Sequence, residues 1–454
     1  MGGAGQEEGD EGQGPELRSP ERLGPRESTA ELSRLAAERR RSLERFLSLL
    51  SEREVCPYCA GSLLSSLNRR VSSWILGHAV LALEAEAGGE RGKRACAGLR
   101  GSCSICGGEV PSALPELISD LLRELSEYEF ETFKGGAVLP PHVHEAHDEV
   151  RAGLGIWTAE SPKVTLSRLA DDVVSAVTGA GIDPVRPDLV GLLDLWRGEV
   201  RITVNPVYLA GRYLKLARGI SQARWLCPSC GGRGCEECGW TGYRYADSVE
   251  ALIGEVAKRA FQAEDYHIHA AGREDVDARM LGTGRPFVLE VVRPRKRRVD
   301  LAELQEEINR SAEGKVAVVG LRYAEPSLIR TLKEGAPETR KVYRALVEVE
   351  GGVTDDELRR LEAELEGATI DQRTPTRVLR RRSDLLRRKR VYGVTTRRID
   401  DRTFEMIVEC DGGLYVKELV SGDEGRTRPS VASILGKKAF CRELDVLAVL
   451  TPRA

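Results

Sequence analysis

The chain has 454 residues, 41% of them hydrophobic, and a formal net charge of -3. That length is several times the ~100 to 200 residues of one compact domain, so about three domains with real cores are expected. No stretch approaches the roughly 18 to 20 uninterrupted apolar residues of a membrane span, and residues 1–30 carry seven acids and seven glycines where an export signal would be apolar, so a cytoplasmic protein with no membrane partner is expected.

Residues 1–27 read as a disordered Gly/Glu/Pro tail, too poor in apolar side chains to offset the entropy of ordering. At Ser28 to Glu31 an S-x-x-E capping box precedes Leu32, Leu35, Leu43, Phe46, Leu47 and Leu50 at helical spacing, so a helix is predicted to start there and lead into a cysteine pair. A second helix is predicted over 114–125, and the two bracket a small metal-stabilised unit over 28–127. Residues 128–247 form the next block, with strands over 128–133, 187–193 and 199–204 around a helix over 164–177 and a second cysteine cluster at its end. Residues 248–454 form the last, with helices over 249–261, 301–310 and 355–365 and strands over 286–292, 315–323, 341–350 and 404–410. The fold class is therefore α+β and multidomain, with a mixed, mainly antiparallel sheet flanked by helices in the C-terminal half.

Eleven cysteines in a reducing compartment point to metal before disulfides. Cys56 and Cys59, with Cys103 and Cys106, make two CxxC pairs whose two-residue gap lets both thiolates of a pair reach one tetrahedral ion. Cys227, Cys230, Cys235 and Cys238 are tighter, in CPSCGGRGCEECGWTG, where glycines permit sharp turns around a metal. Four sulfur ligands leave no open position for water, so structural rather than catalytic Zn2+ is expected at both, with no organic cofactor. Cys96, Cys410 and Cys441 read as small core hydrophobes. The run His142-Val-His144-Glu-Ala-His147 matches no helix face cleanly and adjoins prolines, so it reads as a solvated loop; His267 and His269 read as structural.

Between glycines, Arg273-Glu274-Asp275-Val276-Asp277-Ala278-Arg279 packs three carboxylates and two arginines into seven residues. A solvated charge cluster has the same composition. The pairing is also what a nucleophilic carboxylate needs, since an adjacent cation keeps it ionised when substrate excludes water. Residues 373–398 hold eleven basic residues against one acid, Asp384, a local positive field suited to phosphate. Tyr343 is in phase with Ala345, Val347 and Val349 on a period-2 strand, which puts its ring on the buried face. Lys417 follows the turn Asp411-Gly412-Gly413.

Gly272-Arg273-Glu274-Asp275 resembles the catalytic G-R-x-D motif of pseudouridine synthases, and GREDVDARMLGTGRPF is similar to the Pus-ten type of tRNA pseudouridine synthase. The resemblance extends over most of the chain beyond Val55: residues 186–225 resemble that family's THUMP-like RNA-binding domain, 373–390 its basic loop, and Gly413-Leu-Tyr415-Val-Lys417 through Leu444 its third synthase motif. It implies conversion of uridine to pseudouridine in tRNA, at positions 54 and 55 of the T-arm, with no obligate protein partner. It also implies roles: Asp275 as the catalytic aspartate, Arg273 in the space left by the flipped nucleotide, Tyr343 against the uracil, Lys417 as counter-ion of Asp275, and Leu444 as an apolar wall. Arg377, Arg380, Arg381, Arg382, Arg387 and Arg388 would anchor RNA phosphates. A zinc-bearing RNA-binding protein without catalysis is the competing reading. A methyltransferase or sulfur transferase would need a Gly-rich nucleotide loop, and neither 282–285 nor 436–438 completes one.

Overall fold

The computed structural model describes residues 25–68, 70–334, 339–380 and 382–450, with side chains from residue 33 onward. Residues 1–24 of the expected tail lie outside these, as does Arg381. The described residues fall into two compact units where three blocks were expected, one drawn from residues 25–122, 134–179 and 191–201 and the other from residues 123–133, 180–190 and 202–450.

The first helix, α1 (Pro25–Leu50), begins upstream of Ser28, so the S-x-x-E tetrad lies inside it and does not cap it. Helices α2 (Pro57–Leu64), α3 (Ser73–Ala87), α4 (Gly89–Leu99) and α5 (Glu109–Leu125) follow. Pro57 sits in the first turn of α2, where its missing N–H costs nothing. Gly61 and Gly77 let α2 and α3 touch: a Cβ on Gly61 would stand 2.0 Å from Ser73 O, and one on Gly77 1.9 Å from Pro57 O. Strand β1 (Thr132–Val138) leads to α6 (Pro141–Leu154) and α7 (Pro162–Thr178), then β2 (Gly181–Ile182), β3 (Leu189–Asp194) and β4 (Glu199–Val204). The sheet they form runs β2-β1-β3-β4. The histidine run is thus the helix α6 rather than a loop, because Pro141 occupies a helix first turn. His147 is fully buried, with Nε2 2.8 Å from Ser62 Oγ.

The second unit is built on one ten-stranded sheet. In chain order come β5 (Val207–Lys215), α8 (Val249–Ala260), β6 (Asp265–Ala270), β7 (Arg279–Val292), α9 (Leu301–Ser311), β8 (Val316–Tyr323), α10 (Ser327–Glu334), β9 (Arg340–Val349), α11 (Asp355–Leu365), β10 (Thr369–Arg373), β11 (Leu386–Arg398), β12 (Thr403–Asp411), α12 (Val416–Ser421), β13 (Thr427–Arg428), α13 (Val431–Leu435) and β14 (Ala439–Leu450). The sheet order is β13-β10-β11-β12-β9-β14-β7-β5-β8, with β6 added on β7. Its pairings are antiparallel except β14 with β7, so the mixed, mainly antiparallel sheet is as expected. Two segments differ from the sequence reading. Val207–Lys215 is a strand between β7 and β8 of this sheet, although 128–247 was expected to fold apart from it. Half of the basic stretch is the strand β11, so Arg387 and Arg388 are strand residues rather than loop residues.

Strand β9 alternates buried and half-exposed along its length, as does β12. Their buried side chains, such as Val347, Phe404 and Met406, belong to one apolar cluster with Phe261, Phe287 and Leu361, to which α8 packs on β6, β7 and β8, α9 on β8 and α11 on β11, and burial of that apolar area is the main contribution holding the unit together. Among the described residues no helix is long and apolar enough to cross a membrane.

Candidate active site

The loop between β6 and β7 carries Gly272 to Asp277, and four of those six carbonyls are held by buried or half-buried side chains. Arg285 donates Nη1 to Ala271 O at 2.7 Å, and Gln222 donates Nε2 to Gly272 O at 3.0 Å. Lys215 Nζ reaches Asp275 O at 3.0 Å and Val276 O at 3.2 Å, and Arg218 reaches Asp277 O at 2.9 Å. Beneath the loop, Glu274 turns inward: its carboxylate meets Arg285 Nε at 2.8 Å, Tyr213 Oη at 3.0 Å from both oxygens, and Lys215 Nζ at 3.8 Å. Desolvation lowers the proton affinity of Lys215 and raises that of Tyr213 well above the ordinary phenol value. A loop tied at this many points holds its side chains before substrate arrives, the condition for electrostatic preorganisation.

Asp275 emerges from this loop into a cleft of about 510 Å³ also lined by Arg273, Tyr343, Arg377, Lys417 and Leu444. The structure therefore brings Asp275 together with every side chain that the sequence reading placed around it. The nearest cation to Asp275 is not the expected one. Arg377 meets its carboxylate as a fork, Nη2 to Oδ2 at 3.0 Å and Nη1 to Oδ1 at 3.4 Å, while Lys417 is at 3.6 Å. Arg377 also donates Nε to Glu418 at 2.7 Å, so in this state its guanidinium serves two carboxylates rather than RNA phosphate. Lys417, in the first turn of α12, spends its ammonium on Asp277 at 2.6 and 2.8 Å. Burial opposes ionisation of Asp277, but the hydrogen bond and charge of Lys417 outweigh it and hold that carboxyl below its usual range.

Tyr343 is 9% exposed, and burial pushes its hydroxyl well above the ordinary phenol value. Across the β9–β14 pairing Val446 stands opposite Tyr343 and Leu444 opposite Ala345, and both line the cleft. Arg273 lies with its guanidinium 4.5 Å over the ring of Trp225, and Arg244 lies 5.9 Å from the same ring. Of the basic stretch, Arg380 is exposed, Arg382 donates to Tyr415 Oη at 3.0 Å, Arg387 to Thr374 Oγ1 at 2.9 Å, and Arg388 pairs with Asp371 at 3.1 Å.

Both cysteine quartets assemble. In each, the four Sγ atoms lie within 4.8 Å of one another. Cys56 and Cys106 stand 3.7 Å apart; Cys227 and Cys235 are 3.8 Å apart, Cys230 and Cys238 3.9 Å, and Cys235 and Cys238 3.7 Å. Four sulfurs at ~2.3 Å from one ion have tetrahedral edges of about 3.8 Å, so both quartets fit a metal ion. The N–H groups of Cys235 and Gly242 also point at Cys238 Sγ, at 3.2 and 3.3 Å. Burial works against the thiolate there, but these N–H donors overcome it and bring Cys238 down to about 6. The histidine runs join neither quartet, and His269 pairs with Glu290 at 2.9 Å.

Sequence reasoning missed the Glu274–Arg285–Tyr213–Lys215 cluster and the Arg377–Asp275 fork. Their partners lie 11 to 102 positions apart in the chain, beyond any local pattern. Lys341 was also missed, although it sits two residues before Tyr343 and shares its face by the same period-2 argument.

The family model described as "Pus10, C-terminal" matches residues 208–450. A curated protein of Korarchaeum cryptofilum named tRNA pseudouridine synthase Pus10 is 53% identical over 350 residues, covering 77% of this chain and 93% of its own length. Proteins of the same name from Methanothermobacter marburgensis and Pyrococcus furiosus are 41% identical over 407 residues and 38% over 409, covering 89% and 90% of this chain and 97% and 98% of theirs.

Proposed function

The chain belongs to the Pus10 family of tRNA pseudouridine synthases, and on that premise we propose that Asp275 is the carboxylate that isomerises uridine to pseudouridine at positions 54 and 55 of the tRNA T-arm. The observation that carries the aspartate is its placement: a side chain on a loop fixed by Arg285, Gln222, Lys215 and Arg218, opening into a cleft walled by Tyr343 and Leu444. The Arg377 fork and Lys417 set two cations beside that carboxylate, and a carboxylate attacks as the anion. The Tyr343 ring offers a flat apolar face to a flipped uracil, and the base leaves its stack at a cost of a few kcal/mol. Arg273, parked on Trp225, is within reach of the cleft to fill the space that the base vacates.

Arg380, Arg381, Arg382, Arg387 and Arg388 serve RNA phosphates, and Arg377 serves Asp275. The THUMP-like block binds RNA as well; Trp157 and Trp196, 71% and 65% exposed, offer π-faces suited to base stacking. The two quartets hold structural Zn2+, which when bound cross-links each knuckle. Cytoplasmic tRNA is the substrate, without an organic cofactor.

The test is tritium release from C5-labelled uridine in tRNA, with the product mapped to its position. Asp275→Asn keeps the size of the side chain and one acceptor oxygen but cannot be an anionic nucleophile. We expect isomerisation to fall by several orders of magnitude with tRNA affinity nearly intact, while Asp277→Asn remains active. Near-normal turnover of a folded Asp275→Asn, or loss confined to Asp277→Asn, would show that another carboxylate does the chemistry.

A further inference from the structure

The cleft holds a buried cation with no role in the reading above. Lys341 is the second residue of β9 and shares a face with Tyr343. It is 6% exposed, lines the cleft, and its ammonium makes no hydrogen bond or ion pair with any described residue. Its ammonium lies under the catalytic loop: a Cβ on Gly272 would stand 3.2 Å from Lys341 Nζ and 3.2 Å from Arg285 Nη1. The charged and titratable groups facing it are Arg285 from β7, Lys389 from β11, Cys410 from β12 and Glu274 from the loop. None of them neutralises it, because the Glu274 carboxylate is already committed to Arg285 and Tyr213. Pairing of β9 with Cys410 on one side and Val449 on the other fixes its backbone. Burial, then Arg285, lowers its proton affinity to about 8. An unpaired buried charge is costly, and a cation kept at that cost beside the reacting loop is suited to an anion that arrives with the substrate.

We propose that Lys341 receives the negative charge of the uracil when the glycosidic bond opens, donating a hydrogen bond to a carbonyl oxygen of the detached base. The inference rests on the reading of Asp275 given above. In the step concerned the C1′–N1 bond breaks and its electron pair leaves with the base, spreading over N1, O2 and O4. C5 then bonds to C1′ with that pair, C5 gives up its proton and N1 gains one, so nothing is oxidised or reduced. Charge that appears only during reaction is where a fixed cation in a dry site accelerates most. Backbone phosphates are met by exposed arginines such as Arg380, whereas Lys341 lies at the depth of Tyr343, which a base reaches and a phosphate does not.

The experiment is Lys341→Met, which keeps the length and apolar stem and removes the charge, measured by single-turnover isomerisation at saturating tRNA, by tRNA binding and by thermal melting. We expect the single-turnover rate to fall on the order of 10²-fold, with Kd within about twofold of wild type and the melting temperature unchanged or raised. Wild-type kcat/KM should decline above pH about 8, since the protonated amine is the working form and is lost as pH rises, and Lys341→Met should lack that limb. Cys410 is pushed up to about 12 and Tyr343 higher still, so neither titrates in that window. Lys341→Gln is the second variant should Met perturb folding, and the wild-type pH profile needs no variant. A rate within threefold of wild type overturns the proposal, as does a weakened Kd with an unchanged rate at saturation, which would make Lys341 a phosphate contact. A lowered melting temperature with no alkaline limb in wild type overturns it in favour of a packing role. Asp275→Asn run in parallel separates the two failures: an active Asp275→Asn overturns the aspartate assignment, and an inert one beside an active Lys341→Met overturns this proposal alone.

Discussion

Replacing Glu274 by Gln removes the one carboxylate that faces two fully enclosed cations. The side chains of Glu274 and Arg285 are each 1% exposed and that of Lys215 is 0% exposed, so solvent screening does not soften their interaction. Gln keeps the shape and one acceptor, but its amide would face Arg285 Nε, now at 2.8 Å from a carboxylate oxygen, or Tyr213 Oη at 3.0 Å. Toward Arg285 donor meets donor, toward Tyr213 the hydroxyl oxygen can accept from the amide, and in either orientation both cations lose their counter-charge. Breaking a buried pair by removing one partner costs about 3 to 5 kcal/mol, and for a unit of this size each kcal/mol moves Tm by ~2 to 4 °C, so a fall of about 6 to 20 °C is expected. Turnover should fall as well, because Lys215 also holds the carbonyls of Asp275 and Val276; the assay is thermal melting together with isomerisation measured well below either transition. Glu443→Gln is the control. It breaks the 2.7 Å pair with Arg218 at a carboxylate 51% exposed, where such a pair contributes ~0 to 1 kcal/mol. A Glu274→Gln variant that melts within 2 °C of wild type would refute the account of the buried cluster as the support of the loop.

Two further outcomes follow from the metal sites and the basic stretch. Metal analysis should find two zinc ions per chain, with Cys59→Ser and Cys230→Ser each losing one and each lowering the melting temperature; fewer than one ion per chain in the wild type would remove metal from both quartets. Replacing Arg380, Arg381 and Arg382 by Ala should flatten the salt dependence of tRNA binding, each lost phosphate contact reducing the log-log slope by roughly 0.7 to 0.9, whereas Arg388→Ala, already paired with Asp371 at 3.1 Å, should change it less. An unchanged slope in the triple variant would assign these arginines to a solvated surface.

What the sequence revealed, and what it hid, divides along the range of the interactions concerned. The inward face of β9 was legible because a period of two is written into consecutive residues, and Tyr343 lies on it as expected. The CxxC pairs were legible because each knuckle is local, although nothing in the spacing fixes how Cys56 and Cys59 find Cys103 and Cys106. Strand β5 was missed because it ends at Lys215, a residue type that reads as surface and is here fully buried under Glu274 and three carbonyls. Helix α6 was missed because two prolines suggested a loop, yet Pro141 stands where a helix loses nothing by having it. Arg377 was read as a phosphate anchor from composition. Its actual partner, Asp275, lies 102 residues away, and only tertiary structure shows that the basic stretch delivers one arginine to that carboxylate while leaving Arg380 and Arg382 exposed.

That arrangement gives the cleft a charge balance different from that of the chain. The protein as a whole carries -3, yet seven Lys and Arg side chains line the cleft against two carboxylates, Glu274 and Asp275. Glu274 is consumed by Arg285 from below, which leaves Asp275 as the anion that the cleft presents. A concave site with such a surplus focuses field lines outward and draws a polyanion in, at an on-rate that salt reduces. On the proposed role of Asp275 the same surplus constrains catalysis, since that carboxylate is engaged by the Arg377 fork until something competes for the guanidinium. A phosphate beside a flipped nucleotide would be a competitor of the right charge and geometry for Arg377, and Glu418, 7% exposed on its side chain with Oε2 lacking a hydrogen-bond partner, would keep the guanidinium within the cleft. On that proposed role, binding of RNA and release of Asp275 would be one event, so raising salt should lower tRNA affinity and slow isomerisation of bound tRNA far less, because the competing phosphate would already be in place once the complex has formed.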